Sequence, residues 1–276
     1  MSIGFFNGEF IDIDKAVIPI DERGHQFGDG VYEVVKVYNA KPFLIDAHLE
    51  RFEKSASNIS IKLPYSLDEL KKLILEVIER SGIKDAEVYF QVTRGIAPRN
   101  HLFPNVEPSF TLTVKPARKV PEQSYEHGVQ TVIAEDDRWA KCHIKSLNLL
   151  PNILAKQNAV EAGSFEAIFE KDGFIAEGTS SNVFVVKDKV LYTTPLTSNI
   201  LPGITRAAVL QIAREKGIEV KEEKFTKDFL LNADEAFITS TSVELLPIRS
   251  VDGHLIGDGA PGAITKALHQ SFKAMC

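Results

Sequence analysis

Two hydrophobic periods alternate along the chain. Near the N-terminus, GFFNGEFIDI (residues 4–13) places apolar residues on either side of Asn7-Gly8, a pair that tolerates positive φ, and predicts a β-hairpin. GVYEVVKVYNAKPFLI (30–45) predicts a second hairpin that turns between Asn39 and Pro42. The period then becomes helical. Asp46 is read as the cap of a helix running through AHLERFEKSASNI. In YSLDELKKLILEVIERSG (65–82), Ser66 and Glu69 form a capping box, and Leu67, Leu70, Leu73, Ile74 and Val77 form an apolar stripe that stops at Gly82. AEVYFQVTRG and SFTLTVKP read as strands, with the polar, proline-containing loop IAPRNHLFPNVEP between them.

The second half opens with a strand in VQTVIAED. RWAKCHIKSLNLLPNILAKQNAV (138–160) reads as a strand end leading into a helix, with Pro151 in the first turn and Leu150, Ile153, Leu154 and Val160 at helical spacing. Short strands follow in EAIFEKDGFIAEG and NVFVVKDKVLYTTP, with turns at Asp172-Gly173 and Asp188-Lys189. Then come a helix in GITRAAVLQIAREKGI, a strand in EAFITSTS and a helix after Pro261. Antiparallel hairpins with segregated helices, and no regular βαβ alternation, predict an α+β fold. KPARKVPEQ is the linker candidate. The expected division is 1–118, a linker at 119–124 and a larger unit at 125–276.

Composition narrows the function classes. The 276 residues are 44% hydrophobic and 25% charged, with 32 basic against 38 acidic side chains and a net charge of −6. That is not the basic footprint of a nucleic-acid binder. No apolar run approaches the roughly 20 residues that cross a bilayer, so no membrane partner is expected. MSIGFFNGEF lacks the basic and apolar regions of a signal peptide. Cys142 and Cys276 provide neither a disulfide framework nor metal-ligand spacing, and a reducing cytoplasm is expected. No metal site is expected. Walker A, dinucleotide and G-x-S-x-G patterns are also absent.

Four features carry chemistry. Lys145 lies between Ile144 and an apolar stretch just before a helix start, a setting that disfavours the ammonium and suits a Schiff-base lysine. Glu177, in IAEGTSSN, ends a strand among hydroxyl residues, where a carboxylate can partner a protonated ring nitrogen. LPGIT opens a helix whose free N–H groups at Gly203, Ile204 and Thr205 would cradle a phosphate, with Ser240-Thr241-Ser242 as a second lobe. Arg94, Arg99 and His101 cluster in TRGIAPRNH, where a guanidinium can clamp a carboxylate. For each, an ordinary surface lysine, turn, cap or solvated loop is the alternative on local sequence alone.

Together these residues resemble the fold-type IV pyridoxal-phosphate enzymes, and within them the bacterial D-amino acid aminotransferases. The resemblance spans nearly the whole chain through DERGHQFGDGVYEVVKVYN, YFQVTRGIAPRNHLFP, IKSLNLLPNILAKQ, EGTSSNVF, GITR and TSTSVELLP. It implies a small N-terminal and a larger C-terminal domain, with pyridoxal 5'-phosphate in the cleft between them. It implies that Lys145 holds the cofactor and moves the proton, and that Glu177 keeps the pyridine nitrogen protonated. Arg51, Ile204, Thr205 and Thr241 become the phosphate site, and Tyr32, Arg99 and His101 the trap for the substrate carboxylate. It further implies a homodimer, with the Arg99/His101 loop supplied by the partner subunit, and D-amino acids and 2-oxo acids as substrates. A branched-chain L-amino acid aminotransferase or an aminodeoxychorismate lyase would share Lys145 and Glu177. A pyridoxal-phosphate binding protein without turnover would need only the cradle.

Overall fold

The computed structural model describes residues 2–276. It divides into two units. One runs up to Arg118 and includes Ile144–Asn148; the other comprises Lys119–His143 and Leu149–Cys276.

The first unit contains strands β1 (Ile3–Phe6) and β2 (Glu9–Ile11), a short helix α1 (Arg23–Phe27), and strands β3 (Gly30–Tyr38) and β4 (Lys41–Pro42). Helices α2 (Ile45–Asn58) and α3 (Leu67–Ser81) follow, then strands β5 (Ala86–Thr93) and β6 (Ser109–Pro116). The sheet order is β2-β1-β6-β5-β3-β4, antiparallel throughout. Because side chains alternate along a strand, Val31, Val35, Val88, Phe90, Val92, Phe110, Leu112 and Val114 share the face covered by Leu49 and Phe52 of α2 and Leu70, Ile74 and Val77 of α3. The opposite face carries Tyr32 opposite Gln91 and Val34 opposite Tyr89, all half-buried. Helix α3 has the expected capping box at Ser66 and Glu69 and ends at Gly82 with φ 66°. Helix α2 corrects the expected cap. Its N-cap is Leu44, at φ 49° and without a side-chain cap bond, while Asp46 lies in the first turn and pairs with Lys71 at 2.6 Å. The left-handed turn at Leu44 already directs the chain into the helix.

The second unit contains α4 (Glu122–His127), which begins inside the stretch read as a linker, β7 (Val129–Glu135), α5 (Leu150–Glu161), β8 (Glu166–Lys171) and β9 (Phe174–Gly178). Then come β10 (Asn182–Lys187), β11 (Val190–Thr193), α6 (Ile204–Glu215), β12 (Val220–Glu222), α7 (Lys227–Leu231), β13 (Glu235–Ser240), β14 (Glu244–Val251), β15 (His254–Leu255) and α8 (Ala263–Lys273). The sheet order is β12-β11-β10-β13-β14-β7-β8-β9, with β15 paired to β14. This sheet is mixed, which corrects the expectation of hairpins alone. β7 pairs with β8 in parallel through the crossover helix α5, β11 with β12 through α6, and β14 with β7. Strands β10, β13 and β14 are buried on both faces, which explains why NVFVV, EAFIT and ELLPI read as continuous apolar runs. Strand β14 escaped the sequence reading because Pro247 lies inside it. The proline is tolerated because pairing with β7 begins only at Ile248. On α5, Leu150, Ile153, Leu154 and Val160 are all exposed, and Ala159 is its buried residue.

Phe52 anchors the first core, fully buried with its ring edge-on to Phe90 at 4.9 Å. Phe52→Ala is expected to lower unfolding free energy by about 3–5 kcal/mol in a denaturant titration. A loss below about 1 kcal/mol would show that this cluster does not hold the unit together.

Candidate active site

The candidate residues form two groups, one in each unit. In the first, the Ile144–Asn148 segment lies along β3. The Tyr32 N–H donates to the Lys145 carbonyl at 3.0 Å, the Leu147 N–H donates to the Gly30 carbonyl at 3.0 Å, and Val31 bridges Ser146. The Lys145 N–H donates to the Ser55 hydroxyl on α2 at 3.2 Å. Glycine is needed at position 30, where a Cβ would meet the Val92 carbonyl oxygen at 2.6 Å and the Leu147 side chain at 2.9 Å. The lysine backbone is thus fixed on two sides, and its Nζ lies 4.4 Å from the centre of the Tyr32 ring.

Behind this surface, on the buried face of β3, sits Glu33. Its carboxylate accepts from Arg51 Nε at 2.6 Å and Nη2 at 2.9 Å, and bonds His48 Nδ1 at 2.8 Å. Burial alone would raise the Glu33 pKa. The Arg51 charge and the bonds from His48 and Arg51 outweigh it and hold the group at about 2. Burial lowers the His48 pKa, against the pull of Glu33, so the imidazole is neutral and donates through Nδ1. Arg51 is therefore presented from a fixed position.

The arginine loop separates into different roles. Arg94 is committed to structure: it chelates Asp29, donates to the carbonyls of Ile59 at 2.7 Å and Ser60 at 3.1 Å, and lies 3.6 Å over the Phe103 ring. Arg23 ties the loop down through Asp29 at 2.8 Å and the Asn100 carbonyl at 2.5 Å. Arg99 and His101 are exposed and both lie against Phe27, at 4.7 and 5.7 Å from its ring centre. Among the described residues, no hydrogen bond or ring contact joins Arg99 or His101 to Tyr32.

In the second unit, Glu177 is the penultimate residue of β9 and is buried. One oxygen accepts from Arg138 Nη1 at 2.7 Å; the other accepts from Asn182 Nδ2 and the Leu201 N–H, both at 3.1 Å. Arg138 in turn chelates Asp136 through Nε at 2.8 Å and Nη2 at 2.9 Å. Burial raises Glu177 to about 7. Arg138 and the Leu201 N–H pull it down, and Asp136 pushes it up. The following turn is braced by Glu166, which accepts from the Thr179 hydroxyl and the Ser180 N–H, each at 2.8 Å.

Ile204 and Thr205 open α6, whose N-cap, Gly203, makes no side-chain cap bond. A Cβ at Gly203 would collide with the Asn182 side chain. Asn182 pairs across the sheet with Thr239, two residues before Thr241. The start of α6 and the Thr241 turn therefore lie at the same end of the sheet. Two buried hydroxyls there, Ser181 Oγ and Thr239 Oγ1, have no hydrogen-bond partner. Arg206, also in the GITR motif, serves the scaffold by bonding the Thr194 carbonyl and Glu222, each at 2.9 Å.

With this geometry in place, comparison with known proteins identifies the family. The Amino-transferase class IV family model matches residues 30–251. The chain belongs to the class IV aminotransferase family. The D-alanine aminotransferase of Bacillus licheniformis is 49% identical over 97% of this chain and 95% of its own length. That of Staphylococcus aureus (strain N315) is 45% identical over 98% and 96%. Among solved structures, the branched-chain amino acid aminotransferase of Escherichia coli superimposes with a TM-score of 0.92 at 30% identity, over 99% of this chain and 93% of that one. A second branched-chain amino acid aminotransferase, solved with pyridoxamine 5'-phosphate, gives 0.91 at 28% identity over 98% and 92%. The fold-type IV architecture expected from the sequence is borne out.

For this class IV aminotransferase, sequence reasoning missed Glu33, His48, Asp136, Arg138 and Asn182. The visible signals were a lone acidic residue in the apolar β3 run and the charged EDDR cluster at the end of β7.

Glu177 makes stability depend on pH. A carboxyl whose folded pKa is raised favours folding while protonated. That contribution is complete below its ordinary value of 4.5 and is lost as pH rises through about 7. In the cofactor-free protein, Glu177→Gln does not titrate. Its stability relative to wild type is expected to rise by about 3 kcal/mol at most between pH 4.5 and 7.5 in paired denaturant titrations. A constant difference across that range would show that Glu177 is ionised throughout.

Proposed function

We propose that this aminotransferase moves the amino group of D-amino acids onto 2-oxo acids, converting D-alanine and 2-oxoglutarate to pyruvate and D-glutamate by a ping-pong exchange with pyridoxal 5'-phosphate. The supporting observation is identity. D-alanine aminotransferases match at 43–49% over nearly the full chain, whereas the branched-chain structures match at 27–30%.

The residues fit the cofactor. The α6 start has no side-chain cap, and two buried hydroxyls without partners lie toward the same end of the sheet, as suits a phosphate. Glu177 is a buried acid held at about 7, as suits a ring nitrogen that carries a proton. When bound, pyridoxal phosphate supplies a cationic ring that accepts the electron pair left on the substrate α-carbon. Lys145 holds the cofactor through Nζ and shuttles the proton at the α-carbon, first as base and then as acid. Its backbone, fixed by Tyr32 and Ser55, confines the arc over which Nζ can move. Glu177 holds the proton at the ring nitrogen. Arg51, the N–H groups of Ile204 and Thr205 and the Thr241 hydroxyl bind the phosphate, which makes the second unit the main cofactor-binding domain.

Tyr32, Arg99 and His101 hold the substrate carboxylate in this reading. Arg99 and His101 are exposed, and among the described residues no hydrogen bond or ring contact joins them to Tyr32, which fits their supply to the site of a second copy of the chain in a homodimer. A cytoplasmic location is part of the proposal; both cysteines are free thiols. No helix among the described residues is long and apolar enough to cross a membrane.

The branched-chain structures favour a second reading, L-amino acid transamination on the same scaffold. A panel of D-alanine and L-leucine separates the two. D-alanine should be strongly preferred, and equal turnover of L-leucine would reverse the assignment. Arg99→Ala should cut kcat/KM for D-alanine by about 30-fold or more, because the charge-assisted clamp is worth roughly 2–5 kcal/mol. Lys145→Ala should lose about a thousandfold or more in turnover with the circular dichroism spectrum unchanged. Near-normal turnover would remove Lys145 as the proton carrier.

A further inference from the structure

Arg138 lies between two carboxylates, and the stoichiometry matters. Its Nε and Nη2 go to the two oxygens of Asp136, while Nη1 goes to Glu177. The side chains of all three are at most 6% exposed. Asp136 is itself fixed: its N–H donates to the Glu170 carbonyl at 2.9 Å, and its Oδ1 accepts from the Arg138 N–H at 3.2 Å. Arg138 lies 4.4 Å over the Phe169 ring and donates to the Asn199 carbonyl at 3.3 Å, so the guanidinium has little freedom to turn.

The charges are unequal. One guanidinium against Glu177 alone would be a neutral pair, with nothing left over for a ring cation. With both ionised, two carboxylates on one guanidinium leave a net charge of −1. The bidentate face of Arg138 is given to Asp136, and Glu177 receives a single guanidinium donor. The excess negative charge therefore sits on Glu177.

We propose that Asp136 is a positioning residue for the ring-nitrogen site: by chelating Arg138 it leaves Glu177 a net negative charge to offer a cationic ring. This rests on the reading of Glu177 given above. Asp136 touches neither cofactor nor substrate in this role and acts through Arg138. The other groups facing the pair are the Asn182 amide, the Leu201 N–H and the Cys142 thiol. Burial pushes that thiol up to about 11, so it carries no charge at neutral pH.

The test uses holoenzyme carrying pyridoxal phosphate labelled with nitrogen-15 in the ring. In Asp136→Asn, the ring-nitrogen resonance should move toward the unprotonated position. The kcat for D-alanine should fall about tenfold or more with KM changed less than about threefold. Asp136→Glu should restore most of the resonance shift, because it keeps the charge. Glu177→Gln serves as the reference. If it shifts the resonance while Asp136→Asn stays at the wild-type position, the proposal is overturned. If neither variant shifts it, the assignment of Glu177 to the ring nitrogen fails first. Should Asp136→Asn not hold cofactor, the carboxyl carbon of Glu177 is followed through a pH titration of the apoprotein. Its midpoint should drop when Asp136 is neutralised, and an unmoved midpoint overturns the proposal.

Discussion

A carboxylate removed from water must be answered by positive charge and hydrogen bonds, and each unit of this aminotransferase is arranged around one such group. Glu33 and Glu177 are both buried, and each faces an arginine. Their states nevertheless differ. Glu33 receives two donors from Arg51 and one from His48, with no competing anion, and is held at about 2. Glu177 receives one donor from Arg138, which is shared with Asp136, and lies at about 7. The first carboxylate is a permanent anion that fixes an arginine. At the second, burial outweighs the pull of the one shared guanidinium. The number of carboxylates per guanidinium separates the two roles.

The position of Lys145 depends on backbone more than on side chains. Five residues, Ile144–Asn148, leave the second unit and run along β3 of the first. Gly30 allows that approach, and Ser55 holds the segment from the helix side. This strand-like attachment confines the arc over which the Lys145 amine can move. The same strand carries Tyr32 toward the lysine on one face and Glu33 toward Arg51 on the other, so the period of two along β3 organises the whole first half of the site.

Surface features are consistent with these roles. Arg94 and Arg23 spend their donors on Asp29 and on backbone carbonyls, which anchors the loop base and leaves Arg99 and His101 exposed at its tip. In the second unit, Arg206 near the start of α6 bonds the Thr194 carbonyl and Glu222 of β12, so that end of the helix is held from behind.

Local sequence determined most of the elements. The α3 stripe with its Ser66–Glu69 box, the hairpins at Asn7-Gly8 and Asp172-Gly173, and the two-sided burial of β10 and β13 follow from periodicity and turn chemistry, which are short-range properties. Glu177 and the α6 start stood out as candidates because each lies at an element boundary, and Lys145 because it is a charge beside an apolar stretch. The parallel pairing of β7 with β8, the strand through Pro247 and the exposure of the α5 apolar residues depended on which segments meet across the sheet, which a local pattern does not encode. The same holds for the partners of the site. Arg138 is 39 residues from Glu177, and Arg51 is 18 from Glu33. A charged side chain in sequence reads as a surface residue, and only folding reveals that its partner lies with it out of reach of water.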